Sequence, residues 1–216
     1  MSKYFSDPQY YFQVNDDYVM NKLKVILFPF IHKGHWTRIT EPVQGKLSYK
    51  PPIYDINAPD LYIPLMAFGT YVVLSGFLLG LQGKFNPEAL NRQFTKGLLG
   101  WILQVMLLKG IIHSLGNDET PVLDIVAYAG YAFTGVVISL LGRLILWGYS
   151  SYNYHHIVIA WECFCMAVFL VKIMKRVVFT EVCTYKMYYY STKSHYLLLL
   201  VAVAQIPLLF WLCNIN

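Results

Sequence analysis

The 216-residue chain is 56% hydrophobic and only 13% charged, with a formal charge of +5 and a mean hydropathy of +0.44. A soluble chain carries about a quarter charged residues, so this composition excludes a soluble domain able to cover its own surface. The modest positive charge is too diffuse for a nucleic-acid-binding stripe, and it suits a face turned toward anionic lipid.

In chain order, residues 1–60 form a polar amino-terminal segment. From Asp16, the residues Val19, Leu23, Ile26, Leu27 and Phe30 fall at helical spacing on one side, Lys22 and Lys24 lie toward the other, and Pro29 limits the helix. Two placements fit this amphipathic helix: lying on the cytoplasmic leaflet, or packed on the protein's own bundle. The first apolar run, Val25 to Ile31, is short, late and broken by Pro29. It does not read as a signal peptide, so an internal helix is expected to direct insertion.

A spanning helix needs about 20 mainly apolar residues. Five stretches qualify: residues 61–81, 97–115, 122–147, 156–173 and 196–212, leaving a short luminal tail at 213–216. The fold class is therefore an all-α membrane protein, a bundle of five transmembrane helices. Lys46, Lys50, Lys172, Lys175, Arg176, Lys186 and Lys193 fall on the amino-terminal side, against Lys84, Arg92, Lys96 and Arg143 on the other. That bias predicts a cytoplasmic amino terminus and a luminal carboxyl terminus.

Ionisable groups in hydrocarbon are costly and count as functional candidates by default. Four need weighing, Lys109, Asp124, Arg143 and Glu162, and each has a structural explanation close to a membrane boundary. Lys109 and Asp124 face each other across a short loop and could pair, or Lys109 could reach the membrane boundary alone. Arg143 and Glu162 flank the hairpin of the third and fourth spans at similar depth, and a salt bridge between them is expected. The pair His32/His35 has no Cys or carboxylate partners nearby, the adjacent pair His155/His156 at a helix start points in different directions, and the four cysteines match neither a zinc site nor a disulfide framework. No nucleophilic triad, phosphate loop or paired carboxylates can be assembled, so neither an enzyme nor a cofactor is expected. Gly76 and Gly80 form a GxxxG in the first span that permits close helix approach, either within the chain or in a homodimer.

The most distinctive stretch is YDINAPDLYIP, residues 54–64. Pro59 holds Ala58 out of the helical region, Asp60 can cap the first free amides of the helix, and Pro64 is tolerated only in the first turn. Tyr54 and Tyr62 suit the membrane boundary. Asp55 and Asn57 have no role in that account.

The sequence resembles the Yip-interacting factor (Yif) family. The likeness rests on this stretch together with YYFQVNDDYV (10–19), NKLKVILFPF (21–30), HWTRI (35–39), YKPP (49–52) and AYAGY (127–131), and it runs through nearly the whole chain in the family's order. Members of that family carry a longer Gly-, Pro-, Asn- and Ser-rich tail before the YYF segment. Only Met1 to Gln9 stand there here, marking a short-tailed member. The resemblance implies a non-enzymatic protein of endoplasmic reticulum and Golgi membranes, paired with a Yip-type membrane protein and associated with Rab-type GTPases and COPII vesicles. It also makes Asp55, Asn57, Pro59, Asp60, Tyr62 and Pro64 the candidates for a partner-binding patch. The rival reading is a small multi-pass transporter or channel, which needs polar groups converging near the bilayer midplane.

Overall fold

The computed structural model describes residues 8–32, 34–43, 46–114, 120–145, 152–181 and 189–215. Two short helices, α1 (Pro8–Tyr11) and α2 (Asp16–Leu27), are followed by a hairpin of β1 (Thr40–Val43) and β2 (Lys46–Tyr49), with Thr40 opposite Tyr49. The bundle comprises α3 (Tyr62–Leu81), α4 (Pro87–Ser114), α5 (Val122–Gly130), α6 (Ala132–Ile145), α7 (Tyr152–Glu181) and α8 (Tyr189–Cys213). Among the described residues, five stretches are long and apolar enough to cross a membrane, with α5 and α6 together supplying the third.

Helices α4, α7 and α8 begin before the apolar stretches that announce them, while α3 matches its stretch closely. Helix α4 begins at Pro87, ten residues before the apolar run from Gly97. Proline is favoured in the first turn, and Asn86 accepts from the amide of Glu88. The third span is interrupted at Tyr131, where the Thr134 hydroxyl donates to the Tyr131 carbonyl at 2.7 Å and competes with the helical ladder.

The α5–α6 span is the most enclosed, with 72% of its most apolar stretch buried against 33–50% for the others. Apolar helices gain nothing by leaving lipid for one another, so their contacts rest on close packing. Here that packing is aromatic. Phe68 and Tyr71 of α3, Trp101 of α4 and Phe133 of α6 meet at centroid distances of 5.2–6.3 Å.

Two glycines make room for this cluster. A Cβ on Gly97 would lie 2.7 Å from the Tyr71 ring, and one on Gly130 would lie 2.6 Å from Pro64 Cβ. The GxxxG pair behaves differently. Gly76 approaches Leu90 of the adjoining α4, while Gly80 has nothing within 4 Å.

Candidate functional site at the amino-terminal end of the bundle

The residues before α3 do not hang free of the bundle. They are threaded through its end by hydrogen bonds. Asp60, fully buried, accepts from the Ile63 amide at 2.8 Å and so caps α3 as expected. Its second oxygen accepts from the hydroxyls of Tyr131 (2.6 Å) and Tyr18 (3.0 Å). Tyr131 also accepts from the Asp60 amide at 2.9 Å, which ties the lead-in segment to the break between α5 and α6.

Asp55 and Asn57, for which the sequence offered no local role, organise the loop before them. Asp55 accepts from the amides of Ile39 and Asn57, both at 2.9 Å. The Asn57 side-chain amide donates to the carbonyls of His35 (2.7 Å) and Thr37 (3.1 Å). Pro59 and Pro64 are buried. Of the six residues proposed as a patch, Tyr62 is exposed, at 38%; beside them Tyr54 is 71% exposed and Ile53 37%.

Lys22 departs most from the helical-spacing argument, which put it on the polar side of α2. It is 2% exposed, and its ammonium donates to the carbonyls of Ile56 (2.5 Å) and Ala58 (3.0 Å). The rings of Tyr18 and Tyr131 lie 5.7 and 5.6 Å from it, close enough for cation–π attraction. Burial lowers its pKa from 10.5 to about 8, opposed by the negative charge of Asp60. Burial together with Asp60 holds the Tyr18 hydroxyl well above its ordinary range, so it acts as a donor.

A second ion centre lies beside the first. Asp124 of α5 pairs with Arg38 at 2.9 Å and accepts from the Tyr11 hydroxyl at 2.5 Å. Arg38 also donates to Tyr10 at 2.9 Å and stacks 4.3 Å over the Tyr49 ring. Of the two alternatives for Lys109, the pair with Asp124 does not form: Lys109 is exposed on α4, and a guanidinium from the amino-terminal segment takes its place beside Asp124. From α7, Arg176 donates to the carbonyls of Trp36 (2.8 Å) and Asn57 (3.2 Å), and Lys172 donates to the carbonyl of Pro29 (2.8 Å).

The Arg143–Glu162 bridge is not among the ion pairs of the described residues. Glu162 faces Gly135 on α6, where a Cβ would lie 3.5 Å from its Oε2, and that oxygen has no hydrogen-bond partner. Gly135 stands eight residues, about 12 Å, before Arg143 along α6, too far for the two charges to meet.

The residues that build this end lie in the segments that carry the family resemblance: Tyr10, Tyr11 and Tyr18 in the first, Lys22 in the second, Arg38 in HWTRI and Tyr131 in AYAGY. The sequence matches the YIF1 family over residues 1–213. The chain belongs to the YIF1 family. It is 33% identical over 209 residues to Protein YIF1B of Danio rerio, covering 94% of this chain and 66% of that protein. To Protein YIF1B of Homo sapiens it is 32% identical over 208 residues, covering 94% and 63%. To the protein transport protein YIF1 of Saccharomyces cerevisiae it is 36% identical over 135 residues, covering 61% and 42%. This YIF1-family chain thus spans two thirds or less of the length of those relatives. No solved structure matches it.

Chemically, this end of the bundle is a lock. Its three buried carboxylates each accept on both oxygens, and Lys22 and Arg38 donate to carbonyl, carboxylate and hydroxyl oxygens. The Tyr128 hydroxyl and the Arg38 Nε have no partner among the described residues. Among the described residues no three His, Cys, Asp or Glu side chains converge as metal ligands would.

Proposed function

We propose that this chain is a non-enzymatic membrane adaptor in vesicle transport between endoplasmic reticulum and Golgi, with a cytoplasmic amino terminus, acting in complex with a Yip-type membrane protein and associated with Rab-type GTPases and COPII vesicles. Family membership and the names of the yeast relatives as protein transport proteins support transport. The observation that carries an adaptor rather than a catalyst is the internal use of the polar groups around YDINAPDLYIP, which leaves an apolar and aromatic rim, Ile53, Tyr54 and Tyr62, as what this motif offers to a partner.

A mild-detergent pull-down of tagged protein tests this reading. Wild type recovers a Yip-type protein. Tyr54→Ala with Tyr62→Ala reduces that recovery at unchanged thermal stability, whereas Asp60→Ala reduces recovery and stability together. Full recovery by the tyrosine variant would move the contact elsewhere, and no membrane partner for wild type would remove the adaptor reading. The transporter reading has one observation on its side, the unpartnered oxygen of Glu162 inside a span. Solute or ion flux into liposomes carrying the protein, lost in Glu162→Gln, would favour it.

A further inference from the structure

Helix α2 and the residues after it do not stop at the membrane surface. The Phe30 ring lies 5.4 Å from that of Phe164 and 6.5 Å from that of Trp161, both on α7. The apolar span of α7 runs from His156 to Arg176. At 1.5 Å per residue, Phe164 lies about 18 Å from the Arg176 end and about 12 Å from the His156 end. A ring from the amino-terminal segment is therefore in contact with the middle of a spanning helix.

Other contacts fix the path. At the top of α2, Tyr18 reaches Ala58 and Asp60, just before α3 begins. Lower down, Val19, Leu23 and Leu27 line a cavity of about 230 Å³ with Tyr62, Met66 and Thr70 of α3. Thr134, Val137 and Ile138 of α6 line the same cavity, and α2 descends packed against α7 and α6, with α3 across that cavity. After Phe28 the chain turns and climbs back. Trp36 packs 6.3 Å from Phe169, and Arg38 reaches Asp124 at the start of α5.

The chemistry suits immersion. Re-entrant backbone is tolerated at membrane depth only where its polar groups find partners. The amide of Phe28 bonds the Lys24 carbonyl, that of Ile31 bonds the Phe28 carbonyl, and Lys172 takes the carbonyl of Pro29. The turn exposes Phe28 (44%), Phe30 (44%) and Ile31 (73%). Lys24 is exposed about one turn above the tip, and its side chain leans toward the amino terminus of α2 and hence toward water. At 12 residues, α2 is about 18 Å long, enough for one leaflet and too short for two.

We propose that residues 16–36 form a re-entrant hairpin whose tip, Phe28 to Ile31, sits among the acyl chains of the leaflet on the amino-terminal side, making the bundle a wedge that prefers membrane curved toward that side. The hairpin adds a helix and a returning irregular segment to the cross-section of one half of the bilayer. Among the described residues nothing comparable is added to the other half, and insertion confined to one leaflet is sensitive to curvature.

Depth can be read with fluorophores on Ile31→Cys and Glu41→Cys, in a Cys183→Ser background where the remaining cysteines are buried. The labelled chains go into vesicles whose lipids carry a nitroxide quencher either at the headgroup or deep in the acyl chain. The Ile31 label is expected to be quenched several-fold more by the deep nitroxide, and the Glu41 label by neither or only by the headgroup nitroxide. An Ile31 label quenched chiefly at the headgroup overturns the hairpin and the wedge together.

For the wedge, the protein is reconstituted into a mixture of small and large vesicles. Several-fold enrichment of wild type in the small ones is expected. It should be lost when Phe28, Phe30 and Ile31 are all changed to Ser, a variant still anchored by five spans. Deep quenching without size preference, or preference retained by the triple variant, overturns the wedge.

Discussion

At the amino-terminal end of the bundle, Asp55, Asp60 and Asp124 are all buried, and each has donors on both carboxylate oxygens. Deeper in the spans, Glu162 is just as buried and has an oxygen with no donor at all. Ser75, Gln104, Ser139 and Gln205, each within a span, likewise have a side-chain atom without a partner. The two regions are held by different physics. The first is directional: its carboxylates have donors on both oxygens, which restricts how the segment before α3 seats, although the Arg38 Nε and the Tyr128 hydroxyl are left without partners there. The second relies on shape, the aromatic cluster and the close approaches at Gly97 and Gly130, and its polar atoms are tolerated within it. Specific order is concentrated where the chain enters the bundle.

The largest effect should come from breaking the directional region. Arg38→Met leaves Asp124 buried without its cation, and removing one member of a buried pair costs about 3–5 kcal/mol. Thermal unfolding in detergent should fall accordingly, and limited proteolysis should now cut within residues 8–60. Arg38→Met with Asp124→Leu should regain most of that loss, because the stranded charge is gone. A double variant no better than the single would place the cost in the lost packing of Arg38 on Tyr49 instead.

The two regions were not equally legible. Each of the five spans follows from a run of apolar residues, a local property, and the Asp60 cap and the Pro64 first turn follow from neighbours in sequence. The lock is non-local. Arg38 sits in a loop with no periodicity, 86 residues before its partner. Lys22 looked solvent-facing because spacing reports only the stripe of Val19, Leu23 and Leu27. What draws Lys22 inward is a pair of carbonyls more than thirty residues on, at Ile56 and Ala58. The tyrosines suited a membrane boundary by composition, yet Tyr11, Tyr18 and Tyr131 serve as buried donors. Asp124 and Glu162 are recognisable as intramembrane charges, but the pairing of Asp124 with Arg38 and the lack of a cation beside Glu162 are not, because helix-end arithmetic gives depth and not direction.

A smaller effect sharpens the comparison through pH. Lys22 titrates near 8 when folded and near 10.5 when exposed. Between those values the unfolded chain binds more protons, so stability rises with pH across that window and is flat below it. From pH 7 to 9 the gain should be about 1 kcal/mol, since each tenfold difference in proton affinity is worth about 1.4 kcal/mol. Thermal unfolding at successive pH values reads it. Lys22→Met should abolish the slope, and a slope unchanged in that variant would assign it to another group.

The smallest change is expected where the polar group is unserved. Glu162 has no cation to lose and no donor on Oε2, so Glu162→Met removes a desolvated carboxyl without stranding a counter-charge. Replacing buried ionic groups by apolar ones of similar volume is often neutral or stabilising. The variant should unfold at the wild-type temperature or slightly above, by about 0–1 kcal/mol. A loss comparable to that of Arg38→Met would mean that Glu162 is held by something bound between α6 and α7, and the contrast between the two ends of the bundle would then lie in their occupancy rather than in their design.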